Sequence, residues 1–191
     1  MINTEKKHKL PVSFEEAFFF IKVIFVYGCW KVLHAYLWRT PESMYAWQSK
    51  LSGYEEFYAR LTAYIVRIFG YHATSTGNVI HLLDYSYNLS IAEHCLAIPA
   101  MVVFAFSILL FKGKMSDKLW FIPLGLIAIF FINLIRIVSV AMAGTYFSVE
   151  MHDFLHRTVF LIITYATILL MVVWWMNRTM KNLDRDNLAS S

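Results

Sequence analysis

A chain of 191 residues that is 59% hydrophobic and only 16% charged falls well below the roughly one-quarter charged content of a soluble domain. Its mean hydropathy of +0.53 and its 17% aromatic content fit a bilayer protein with Trp and Tyr at the interfaces. The net charge of +4 does not argue for nucleic acid, because the basic residues flank apolar runs and no basic binding motif occurs.

Lys6, Lys7 and Lys9 precede the first apolar stretch, about 14–38. That stretch is long and lacks a small-residue cleavage site, so it reads as a retained span rather than a signal peptide. It is the least pure of the apolar runs, carrying Glu15, Glu16, Lys22, Lys31 and His34. Cys29 sits within it between Gly28 and Trp30 and reads as structural. With Cys95 it makes no disulfide framework, and no CxxC occurs.

Residues 39–94 form a loop with its own order. Leu51, Tyr54, Phe57, Tyr58, Leu61, Ile65, Ile68 and Phe69 recur with helical spacing, with Glu55, Glu56 and Arg60 between them. This predicts a helix lying on the outer leaflet. Thr74 to Asn78 is turn-like, and 79–83 and 85–91 are extended around Asp84, which predicts a small hairpin leading to Cys95.

Three further apolar runs follow, at about 95–111, 119–146 and 154–176, each near the ~20 residues that a crossing helix needs. The fold class expected is an all-α membrane protein of about four transmembrane helices, in one domain over 1–191. Lysine and arginine set its orientation. Lys112, Lys114 and Lys118 lie between spans two and three, and Arg178, Lys181 and Arg185 follow span four. With four spans, these and the N-terminal lysines share one side. That side is the cytoplasm, with both termini in it, and the protein is multi-pass in the cell membrane.

Three residues then stand out. Cys95 opens span two beside Glu93 and His94; a cysteine at a helix N-terminus gains thiolate character. Arg136 lies within span three, where a charge costs about 2.5–3.5 kcal/mol on insertion scales and marks a functional site by default. It is about 15 Å below an outer end at Tyr146, with Asn133 three residues earlier on the same face. His152 precedes Asp153 where span four begins, and histidine is the usual proton carrier near neutral pH. The topology was set by other residues, yet it brings Cys95, Arg136 and His152 to one membrane face.

These segments resemble the exosortase/archaeosortase family of membrane cysteine transpeptidases, from about Gly77 to Phe160. The family has a Cys opening a span, here Cys95-Leu96-Ala97-Ile98, then Asn-x-x-Arg in the next span, here Asn133 to Arg136, then His-Asp near the start of the next, here His152-Asp153. Ala97 stands where a Gly usually follows the cysteine, and His156 where a Gly usually follows His-Asp. The resemblance implies Cys95 as nucleophile, Arg136 as anion stabiliser and His152 as acid/base, supported by Asn133 and Asp153, with no cofactor or metal. It implies a membrane-bound partner: a secreted protein whose C-terminus carries a short motif, an apolar span and a basic tail. Such a protein would be cut at the outer face and passed to an unspecified acceptor or to water.

Two other readings remain open. His152 and His156 have a common zinc spacing on a helix, with Glu150, Glu93, His94 or Cys95 as further ligands, which would make a zinc-dependent membrane hydrolase. Alternatively, Arg136 is a counter-charge in a non-enzymatic transport or assembly subunit.

Overall fold

A backbone in hydrocarbon must satisfy its own N–H and C=O groups, and a helix does so within one segment. The apolar runs accordingly fold as helices in the computed structural model, which describes residues 14–85, 87–111, 113–146 and 158–189. About 78% is helical. In chain order the elements are α1 (Phe14–Leu37), α2 (Pro41–Ile68), β1 (Ala73–Thr76), β2 (Val79–Leu82), β3 (Tyr87–Ser90), α3 (Ile98–Leu110), α4 (Met115–Ala143) and α5 (Phe160–Ala189).

Among the described residues, two helices are long and apolar enough to cross a bilayer: α4, and the Ile162–Thr179 part of α5. Helix α1 has the length, at 24 residues, but carries the charges noted above. Helix α3 is apolar but only 13 residues long. The exposed side of α4 is itself apolar, with Leu124, Ile127, Phe131 and Ile135 each more than half accessible. Their spacing of three and four residues makes one helical stripe, which suits lipid better than water.

Helix α2 starts ten residues before the expected Leu51. Thr40 caps it, accepting from the Ser43 N–H at 3.3 Å, and Pro41 fits the first turn because no intrahelical partner is lost there. Its buried side, Leu51, Tyr58, Ala59, Thr62, Ala63 and Val66, faces the sheet and α4, while Tyr54, Phe57, Ile68 and Phe69 of the expected stripe are exposed. The Tyr58 ring lies 5.2 Å from that of Phe130.

The expected hairpin is a three-stranded antiparallel sheet in the order β1-β2-β3. Residues 74–76, expected as a turn, pair with β2: Thr74 with His81, Ser75 with Ile80 and Thr76 with Val79. The turn itself is only Gly77-Asn78. Gly77 takes φ +57, and glycine first in a two-residue hairpin loop is a favoured arrangement. Thr74 and Thr76 are β-branched, and strand pairing outweighs the polarity that reads as a loop.

Two cores result. The first joins α2, the sheet, the Cys95 segment and the C-terminal half of α4, through Val66, Ile80, Leu82, Ile91, Leu96 and Leu134. The other joins α3, the first half of α4 and α5, where Phe121 stacks on Trp175 at 4.3 Å. Gly125 of α4 admits the Phe104 ring of α3 where a Cβ would collide with it, so the two helices approach closely at a small residue.

Candidate active site

The segment entering α3 is held from several directions. Asn78 grips Ile91 twice: its carbonyl accepts from the Ile91 N–H at 2.8 Å and its side-chain amide donates to the Ile91 carbonyl at 2.8 Å. Two residues on, Glu93–Cys95 forms a single 3-10 turn. The Cys95 N–H donates to Ala92 at 2.8 Å and the Leu96 N–H to Glu93 at 3.0 Å.

Cys95 therefore precedes α3 instead of opening it. Helix α3 begins three residues later at Ile98, and the expected second span, 95–111, shortens to 98–110. The break falls at Ala97, whose φ of +55 is the one left-handed non-glycine backbone among the described residues. A side chain there costs about 1–2 kcal/mol. Ala97 is the position where the resemblance expects glycine, and the backbone supplies the physical reason.

Asn133 of α4 is completely buried. Its amide donates to the Cys95 carbonyl at 2.6 Å, and its Oδ1 accepts from Arg136 Nη1 at 3.5 Å. Cys95, Asn133 and Arg136 are thus contiguous across two elements, with Arg136 only 9% exposed. Helix α4 ends at Ala143 rather than Tyr146, so Arg136 lies about 10 Å from the helix end. His152 and Asp153, with Glu150 and His156, lie outside the described residues.

Cys95 is buried, 6% exposed, and precedes the first turn of α3. Burial pushes its pKa up; the Ala92 N–H and the Arg136 charge pull the other way, and the Glu55 carboxylate adds to the rise. The helix dipole invoked from sequence is not the influence here, because the thiol is not in the first turn of α3. Arg136 is the cation that favours the thiolate.

The clasp on this turn was not evident from sequence. Glu93 Oε1 accepts from His34 Nε2 of α1 at 3.0 Å and from Trp47 Nε1 of α2 at 3.0 Å. The three residues are 59 and 46 positions apart along the chain, and no local spacing announces such pairs. Beside them lies a cavity of about 820 Å³, lined by α1, α2, the residues around Glu93, and Tyr165 of α5. No group of three or more His, Cys, Asp or Glu side chains arranged for a metal occurs among the described residues.

A family model described as transmembrane exosortase matches residues 21–174, 154 of the 191 residues. The chain belongs to the transmembrane exosortase family. No curated protein and no solved structure matches it. Exosortases are membrane proteins, generally cysteine-type peptidases or transpeptidases acting on secreted substrates. The match covers α2, the sheet, α3 and α4 in full, and so includes Cys95, Asn133 and Arg136.

Proposed function

We propose that this exosortase is a single membrane-embedded unit that cuts the C-terminal sorting signal of secreted proteins with Cys95 and transfers the released carboxyl to an acceptor. The observation that carries the reading is the hydrogen-bonded run from the Cys95 carbonyl through Asn133 to Arg136. It joins Cys95, in the core shared by α2, the sheet and α4, to the one arginine of α4.

In this reading the Cys95 thiolate attacks the scissile carbonyl. Arg136 stabilises negative charge on the sulfur and then on the tetrahedral oxygen. The C–N bond breaks, and His152 gives a proton to the leaving amine, with Asp153 supporting it. Asn133 positions Cys95. Water or the acceptor then resolves the thioacyl enzyme. Four spans, with both termini cytoplasmic, would bring the site to the outer face, where an apolar segment and basic tail stall the substrate.

The test is processing of a secreted protein with a C-terminal motif, span and basic tail from the same genome. Cys95→Ala is expected to abolish processing while the enzyme still accumulates in the membrane. Continued processing by that variant would refute the reading.

A further inference from the structure

The cavity beside the Cys95 turn has a chemistry of its own. Two carboxylates, Glu55 and Glu93, line it together with Trp30 and His34 of α1. Trp47, hydrogen-bonded to Glu93, stands edge-on to Trp30 with ring centroids 6.5 Å apart. Glu93 is held by His34 and Trp47. Glu55 enters no ion pair among the described residues, and it lies near enough to Cys95 to act electrostatically on the thiol. Burial and the neighbouring Glu93 both push the Glu55 carboxyl up, so a cation beside it relieves an existing repulsion.

The other titratable side chains with nitrogen on the lining are Lys31, His34 and His94. Lys31 stays with its own helix, its ammonium 6.0 Å from the ring centroid of Tyr27 one turn earlier. A volume of about 820 Å³ is that of a small-molecule site rather than a packing fault, such sites spanning about 300–1,000 Å³.

We propose that this cavity holds the ammonium group of the acceptor that resolves the Cys95 acyl-enzyme, with Glu55 as its counter-charge and Trp30 as a wall. The inference rests on Cys95 as the nucleophile. An ammonium cannot attack until it gives up a proton, and Glu55 is placed to take it. The freed nitrogen attacks the thioester carbonyl, the C–N bond forms, and the C–S bond breaks with its electron pair on Cys95 sulfur. The second proton from nitrogen goes to that sulfur, and the first leaves Glu55 for water. One amide and one thiol result, with no redox change.

The test needs no knowledge of the natural acceptor. In a Cys29→Ser background, intact-protein mass follows modification of Cys95 by the cation 2-aminoethyl methanethiosulfonate and by neutral methyl methanethiosulfonate. The ratio of the two rates is expected to fall about tenfold or more with Glu55→Gln, the scale of local enrichment that a charged cleft gives. Glu55→Asp should restore part of it. Dissolved ethanolamine should protect Cys95 against the neutral reagent in wild type and not in Glu55→Gln. Protection by phosphatidylethanolamine vesicles over phosphatidylglycerol vesicles would identify a lipid headgroup as the amine source; protection by dissolved ethanolamine alone would identify a water-soluble one. A ratio unmoved by Glu55→Gln, with the neutral reagent still reaching Cys95, would overturn the inference and leave the nucleophile intact. Failure of the neutral reagent to reach Cys95 would count against both.

Discussion

The side-chain amide of Asn133 donates to the backbone carbonyl of Cys95 at 2.6 Å. One buried side chain of α4 thereby fixes the peptide that carries the thiol, while its other end meets Arg136. Removing it leaves a carbonyl in the core around Cys95 without that donor. Asn133→Ala is expected to cost about 1–3 kcal/mol, read as a lower thermal midpoint in detergent. Processing should fall more steeply than stability, because Cys95 and Arg136 lose their common reference point.

Thiol reactivity should follow the charges around Cys95. Burial pushes the Cys95 thiol up, and only the thiolate alkylates. Iodoacetamide labelling of Cys95 in a Cys29→Ser background should therefore rise at higher pH than labelling of an exposed cysteine. Arg136→Gln removes a charge that favours the thiolate, so the rise should move to still higher pH. Glu55→Gln removes a charge that opposes it and should move the rise down. Shifts in the same direction for both variants would contradict this arrangement of charges.

The left-handed backbone at Ala97 gives a substitution series with opposite outcomes. Ala97→Gly relieves the φ of +55 at the loss of one buried methyl, so stability is expected to change by less than about 1 kcal/mol. Ala97→Val adds a β-branch where that conformation is an outlier. It should be destabilising and should lower processing by displacing the Cys95 turn. Thermal midpoints of the purified variants would show the contrast.

Glu93 tests the clasp. Its carboxylate, with a side chain only 17% exposed, receives both the His34 and the Trp47 hydrogen bonds. Hydrogen bonds to a charged group are worth about 1.5–3 kcal/mol. Glu93→Ala should loosen α1 and α2 from the active-site turn, seen as faster proteolysis at 38–40, between the two helices. Glu93→Gln keeps an acceptor in place and should lie close to wild type.

The parts of this molecule that read directly from sequence are those governed by local chemistry. Helices α1 and α4 follow from apolar content, and Asn133 and Arg136 share a face because they are three residues apart on one helix. The family match over 21–174 agrees with the resemblance drawn from the segments around Cys95 and Arg136. Strand β1 was hidden because Thr74, Ser75 and Thr76 have turn-like polarity, and only pairing with β2 makes them a strand. The place of Cys95 was hidden for another reason: whether a cysteine opens a helix or ends the turn before it depends on one backbone angle at Ala97. The Glu93 clasp joins three separate segments, and only the packed fold brings them together.

The brevity of α3 has a further consequence. Thirteen residues rise about 20 Å, against a hydrocarbon layer of about 30 Å. Lysines tether its far end: Lys118 Nζ donates to the Leu109 and Phe111 carbonyls at 2.9 and 2.6 Å, and Lys22 Nζ to Leu110 at 3.3 Å. If α3 crosses the membrane as proposed, with that end at one headgroup level, the surrounding bilayer would have to thin or the Cys95 turn would sit below the opposite headgroups. In either case the proposed enzyme would work as a depth gauge. A client whose apolar segment is a few residues too long or too short would present the wrong bond to the sulfur.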